Sequence, residues 1–278
     1  MFNLVKMDRY RFVKGMWLKL AVAVIIYALF ACHMQQMTIN QGAGASIGTA
    51  TSPEDTGFAI ALDNGSETYL EKGMDLNRHI TENGLGGGTV LLAVVPIIMF
   101  SSADNKKGFR KNIAGAVSSR EHIALAKFIS TGMITLAFLT MYYVFDFAIG
   151  KIILGDWLRL GDVSTLIYNF VVQYLLLTAF SIFAVAITML VNSAYVGLLV
   201  TVLLSLGMSR SIYTGINYAI TKFVGVKGFN IGLYSLESWL VGDNKVYDHL
   251  LFVTILAIVW ILVWSFITTR VFSKRDVR

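Results

Sequence analysis

Six stretches of this chain hold almost nothing but apolar side chains over the length a helix needs to cross a bilayer, about 20 residues. They run roughly over 17–39, 85–103, 127–150, 165–191, 194–220 and 248–270. Leu, Ile, Val and Phe recur in them without the period-two alternation of an outer-membrane barrel strand. Hydrophobic residues make up 56% of the chain and charged residues 14%, against about 25% charged in an ordinary soluble domain. That balance excludes a disordered chain, a collagen and almost any soluble enzyme. The expected fold class is all-α: a polytopic membrane protein of six transmembrane helices forming a single domain, 1–278.

Charge orients the spans. Of the 23 Lys and Arg, 15 fall on one side: before the first span, between the second and third, and after the last, with the residues at the adjoining span ends included. Of the 17 Asp and Glu, 13 fall on the other side. The basic side is expected to be cytoplasmic by the positive-inside rule, so both termini lie inside a cell inner membrane. The net charge of +6 follows from this sidedness, and no nucleic-acid partner is expected. There is 1 Cys, Cys32, so no intramolecular disulfide forms. Leu29-Phe30-Ala31-Cys32 faintly resembles a lipoprotein cleavage site, but Phe30 is bulky where a small residue is preferred. Cys32 reads as a plain thiol in the first span.

The segments between the spans carry the rest of the information. Residues 1–16 mix Phe2, Leu4, Val5, Tyr10, Phe12 and Val13 with basic side chains, the pattern of an amphipathic interfacial helix. The external loop 40–84 is long and acidic, with turn signals at Gln41-Gly42-Ala43-Gly44 and Ser52-Pro53-Glu54-Asp55 and room for a short helix near Thr68 to His79. The internal segment 104–122 can form a short helix with Phe109 and Ile113 on one face. Ser118 and Glu121 have capping-box spacing for the helix after it. The fourth and fifth spans join tightly at Asn192-Ser193. The fifth is expected to break or tilt near Ser209-Arg210-Ser211. The stretch 221–247, with Glu237 and Trp239, could dip back into the outer half of the membrane as a re-entrant segment, which needs its backbone satisfied by protein or water.

Catalytic constellations are missing. His33, His79, His122 and His249 lie on different segments, and no His-Glu-x-x-His or paired-Cys spacing occurs. Gly84-Leu85-Gly86-Gly87-Gly88-Thr89 lacks the Gly-Lys-Ser/Thr of a phosphate loop. No enzymatic activity, metal or cofactor is therefore expected in this chain. Asp146 and Arg210 are ionisable residues near the membrane core. At about 2.5–3.5 kcal/mol each at a helix centre, both should face protein or water. They could pair with each other or line a pathway; the simpler expectation is an interfacial, snorkelling position for each.

The layout resembles the permease subunits of ABC transporters of the ABC-2 (type-2 exporter) class. An amphipathic N-terminal helix, six spans, inner termini and a large first external loop match it along the whole chain. The local match is Phe100-Ser101-Ser102-Ala103-Asp104 through Gly108, then Lys111-Asn112-Ile113, Ser119-Arg120 and Ala126-Lys127. The resemblance implies that the segment between spans two and three is a coupling helix seated in a groove of a separate ABC ATPase. Asp104, Lys107, Phe109, Arg110, Lys111, Ile113, Arg120 and Glu121 are then the ATPase-contact residues, with Asn192-Ser193 a smaller second contact. It also implies a permease dimer, expected to be of two identical chains, with ATP and Mg bound by the partner ATPase. Glu237 and Trp239 would belong to an external gate.

The function expected from this resemblance is ATP-driven export of a substrate, an amphipathic or antimicrobial peptide being the class that Met- and Phe-rich surfaces suit. The alternative is a non-transporting sensor or self-protection component that binds a ligand through its external loop.

Overall fold

The computed structural model describes residues 2–41, 44–49, 58–63, 73–80, 87–103, 121–225, 230–240 and 249–274. Among them, four helices are long and apolar enough to cross a membrane, or five if one bent pair counts as a single span. The chain is an α-helical membrane protein.

Helix α1 (Phe2–Gly15) runs into α2 (Trp17–Gln41) across Met16. The hydrogen-bond ladder continues through the joint, from Met16 N–H to Phe12 O and from Leu20 N–H to Met16 O. An antiparallel hairpin follows, β1 (Gly44–Thr49) with β2 (Phe58–Asp63). Strand β3 (Met74–Asp75) leads into α3 (Leu76–His79). Helix α4 (Gly87–Ser102), which contains Pro96, precedes α5 (Glu121–Leu154). A 3-10 turn and β4 (Leu158–Arg159) connect to α6 (Val163–Val191). Then come α7 (Ala194–Ser205), α8 (Ser209–Val224), a 3-10 turn at Ile231–Tyr234, α9 (Leu236–Leu240) and α10 (Leu250–Lys274).

Helices α5 and α6 form the centre. Two thirds of the best membrane window in each is buried, 67%, against 22% in α2 and 11% in α10. A helix apolar on every side belongs inside, and one with an exposed apolar stripe faces lipid or a partner. On α2 that stripe is Leu18, Val22, Ile26 and Phe30; on α10 it is Leu251, Ile255, Leu262 and Phe266. Lipid tails supply no hydrophobic drive between helices, so close packing has to hold them together. Phe183 of α6 meets Trp260 and Trp264 of α10 edge-on, at 5.6 and 4.9 Å between ring centroids.

Helix ends obey local chemistry. Asp162 caps α6, accepting hydrogen bonds from the Thr165 N–H at 2.9 Å and from the Ser164 and Thr165 hydroxyls at 2.6 Å each. These bonds, that from Ser164 foremost, hold its carboxyl well below the usual carboxylate range. At the other end Asn192 takes the left-handed conformation, φ 58°, which a short polar side chain tolerates. The turn to α7 is accordingly as short as Asn192-Ser193 suggested.

The fifth apolar stretch breaks. Helices α7 and α8 are bent by 72°. The break lies at 206–208, just before the Ser209-Arg210-Ser211 signal. Gly207 has φ 72°. The Met208 N–H bonds to Leu203 O and the Gly207 N–H to Leu204 O, the paired closure of a Schellman motif with glycine just past the helix.

At the end of the bundle away from α1, β3 pairs in parallel with β4, Met74 opposite Leu158 and Asp75 opposite Arg159. This two-residue bridge presses 73–80 onto the end of α5, with Leu76, His79 and Ile80 all buried. Of the short helix expected near Thr68 to His79, the described part is Leu76–His79, with 68–72 outside the described residues; the hairpin is an addition to what the sequence suggested.

The α6–α7 hairpin supplies a packing test. A Cβ on Gly197 would collide with the Thr188 hydroxyl and come within 3.4 Å of Ala184 O. Gly197→Ala is expected to destabilise the detergent-solubilised protein by about 1–3 kcal/mol, the usual range for overpacking. Adding Thr188→Ala should recover most of the loss, read as the midpoint of thermal unfolding.

Candidate functional site

The sequence places the principal site at the segment between α4 and α5. Asp104, Lys107, Phe109, Arg110, Lys111, Ile113 and Arg120, with the cap residue Ser118, lie outside the described residues. Glu121 is described: it opens α5 and is exposed, where a carboxylate favours the positive end of the helix dipole.

Both flanks of that segment are held by α1. Asp8, Arg11 and Phe12 occupy i, i+3 and i+4, one face of the helix. Asp8 is buried, 2% exposed. Its carboxylate takes the Lys127 ammonium at 3.0 Å on each oxygen and the Ser130 hydroxyl at 3.2 Å. Arg11 stands 3.7 Å away. Lys127 and Ser130 are themselves i and i+3 on α5. Phe100, in the last turn of α4, sits between two cations: Arg11 Cζ at 5.5 Å and Lys127 Nζ at 5.1 Å from its ring centre. Phe12 meets it edge-on at 6.5 Å. A desolvated cation over an aromatic face adds roughly 2 kcal/mol at best. The greater constraint is Asp8, since a buried carboxylate needs its partner. Asp8 was absent from the residues the sequence singled out. The available signal was a lone acid on the Phe12 face of an otherwise basic helix.

A cleft of about 190 Å³ opens beside this cluster, lined by Phe12, Trp17, Met133 and Ile134 among others. It falls below the roughly 300–1,000 Å³ of ordinary small-molecule sites.

Glu237 and Trp239 come together at the other end of the bundle, on the buried helix α9. Glu237 accepts a hydrogen bond from the Tyr213 hydroxyl of α8. The Trp239 indole donates to Leu233 O at 2.9 Å and packs against His249 and Phe252. Asn217, one turn beyond Tyr213, accepts from the Ile231 N–H at 2.9 Å and donates to the Asn230 side chain at 3.1 Å. One face of α8 thus holds 230–240 through polar contacts. The neighbouring face, about 100° round the helix, leaves Ile212, Ile216 and Phe223 exposed.

The depth of this segment is readable from α10. Trp260 donates to Tyr234 O at 3.1 Å. Trp260 lies ten residues into the helix, about 15 Å at 1.5 Å per residue. Helical side chains lean toward the N-terminus, so Tyr234 O sits about 10 Å below the start of α10.

Asp146 faces the protein interior. Its relative exposure is 0%. His79 Nε2 stands 3.3 Å from its Oδ2, and the Cys32 thiol 3.9 Å from its Oδ1. The β3–β4 bridge is the cause, because it brings α3 down over the end of α5. The side chain that faces the Asp146 carboxylate here is His79. Arg210 is half-buried in the first turn of α8, where its N–H bonds to Gly207 O. The spacing search missed the His79–Asp146–Cys32 group because its members come from three separate elements.

Two outcomes follow from these contacts. Lys127→Met leaves Asp8 with the Ser130 hydroxyl and the half-exposed Arg11 beside it. The variant should lose stability toward the lower end of the about 3–5 kcal/mol typical of a broken buried pair. Asp8→Leu/Lys127→Met should lose less than either single change in detergent unfolding. Tyr213→Phe leaves Glu237 buried without its donor, a cost of about 1–3 kcal/mol. Amide exchange at 230–240 should then accelerate while that of α5 and α6 stays unchanged.

Neither the protein-family models nor the curated proteins contain a match to this chain.

Proposed function

We propose that this chain is the membrane-spanning permease subunit of an ATP-driven exporter of the ABC-2 class, a homodimer served by a separate ATPase that binds ATP and Mg. In this reading α4 and the bent α7–α8 pair are spans alongside α2, α5, α6 and α10. That makes six, with both termini on the cytoplasmic side of an inner membrane. Helix α4 has 16 described residues, about 24 Å of rise, short of a core about 30 Å thick. The span therefore draws on the residues beside it.

The observation that carries the reading is the Asp8–Lys127–Phe100 cluster. It ties an N-terminal amphipathic helix to both flanks of the one strongly basic internal segment. A push on 104–120 reaches α4 through Phe100, and α5 and α1 through Lys127 and Asp8. Helix α5 has 34 residues, about 51 Å of rise, and carries the displacement to the far end as a rigid element. ATP drives this cycle only if the closed ATPase pair binds one packing of the permease better than the other. The cargo we assign is an amphipathic peptide, crossing between the two copies rather than through the small cleft beside α1.

Co-purification tests the assignment. The wild-type chain, co-expressed with its candidate ATPase and solubilised in mild detergent, is expected to hold the ATPase. Phe109→Asp/Arg110→Glu should release it while keeping the same thermal midpoint. Peptide should stimulate ATP hydrolysis by the wild-type assembly by several-fold. A wild-type chain that holds no ATPase overturns the reading in favour of a ligand-binding membrane component.

A further inference from the structure

Cys32 on α2, His79 on α3 and Asp146 on α5 converge from 47 to 114 residues apart in sequence. All three are buried, each at 0% exposure. One donor atom from each lies within 4.8 Å of the others. Sulfur, imidazole nitrogen and carboxylate oxygen together form a donor set that suits a late transition-metal ion rather than Ca²⁺ or Mg²⁺.

The geometry is that of ligands more than of a hydrogen-bonded triad. His79 Nε2 and Asp146 Oδ2 are 3.3 Å apart, yet neither atom makes an aligned hydrogen bond, and His79 Nδ1 has no partner either. Two lone-pair atoms that approach without pointing at each other are placed to share a third atom. For tetrahedral zinc, with bonds of about 2.0 Å to N and O and about 2.3 Å to S, the N–O edge is about 3.3 Å and the S–O edge about 3.5 Å. The observed Nε2–Oδ2 separation is 3.3 Å, and the thiol lies 3.9 Å from the other carboxylate oxygen, Oδ1. One donor atom from each residue lies within 4.8 Å of the others, so a turn of the carboxylate and a shift of the thiol bring all three onto one ion.

Charge favours the same ion. A thiolate and a carboxylate neutralise a divalent cation, so the filled site carries no net charge into a buried setting.

We propose that Cys32, His79 and Asp146 form a Zn²⁺ site at the end of the bundle away from α1. Zinc binds the Cys32 sulfur, the imidazole and the carboxylate, and the thiol proton leaves to solvent. The fourth position goes to water or to the Tyr142 hydroxyl, which is buried one turn before Asp146. The ion clamps the 73–80 segment and α2 to α5. It stabilises the packing in which these three elements touch, because metal binding free energy adds to the state that holds the ligands together.

Cobalt reports the site directly. The full-length chain in detergent, stripped with chelator, is titrated with Co²⁺ and then with Zn²⁺. The wild type is expected to bind one Co²⁺ per chain with a sulfur-to-cobalt charge-transfer band, which Zn²⁺ displaces. Cys32 is the 1 Cys in the sequence, so the band assigns the ligand without any variant. Cys32→Ser should abolish the band. His79→Gln and Asp146→Asn should each weaken binding by more than about tenfold, a loss seen even when only a ligand's hydrogen-bond partner is removed. No band in the wild type at saturating Co²⁺ overturns the proposal. So does metal stoichiometry that all three folded variants retain, since that ion binds elsewhere.

Discussion

A buried charge near each end of one central helix organises the molecule. Lys127 and Asp146 lie 19 residues apart on α5, about 28 Å of helix rise. That is close to the hydrocarbon thickness of a bilayer, about 30 Å. No charged residue stands between them. Each is 6% exposed or less, so each demands a partner from outside its own helix. Asp8 of α1 meets one and His79 of the 73–80 segment meets the other. The two elements that look most peripheral in the chain are thereby fixed to the pillar at its centre.

Packing around α5 follows from that constraint. Helices α6 and α5 share the interior, and α2 and α10 carry their apolar stripes on the outside. Small residues admit the closest approaches, as Gly197 does against Thr188. Aromatic contacts fill the wider gaps, as Phe183 does against Trp260 and Trp264. Such interfaces rest on fit and on satisfied polar groups rather than on exclusion of water.

The bend between α7 and α8 serves the same accounting of polar groups. A straight continuation would have set Tyr213 and Asn217 in the line of a membrane span. Turned by 72°, α8 offers them to Glu237, Asn230 and the backbone of Ile231. The segment 230–240 is made of two short helical turns broken at Ser235, and protein donors and acceptors satisfy its backbone. This is the condition under which irregular backbone is tolerated at depth. The two ends of the bundle thus differ in kind. One gathers α1 and α5 on the Asp8 carboxylate, with α4 held through Phe100 against their cations; the other is built from short elements packed against the helix ends.

The sequence by itself determined what depends on neighbours along the chain. The helix positions follow from apolar runs, the amphipathic N-terminal helix from its periodicity, and the tight Asn192-Ser193 turn from its composition. The break in the fifth apolar stretch was visible as a loss of hydropathy, though its cause is Gly207 rather than the polar residues after it. What only the tertiary structure decided is which distant side chains meet. Asp8 and Lys127 are 119 residues apart and Cys32 and Asp146 are 114 apart. No local pattern encodes either separation. Their meeting depends on α2 and α5 running side by side in the same direction, and on a two-residue bridge from β3 to β4 that no hydrophobic periodicity announces. Span chemistry is local and hence legible. The pairing of buried charges is a property of the packed bundle, because only packing removes the water that would otherwise have served as their partner.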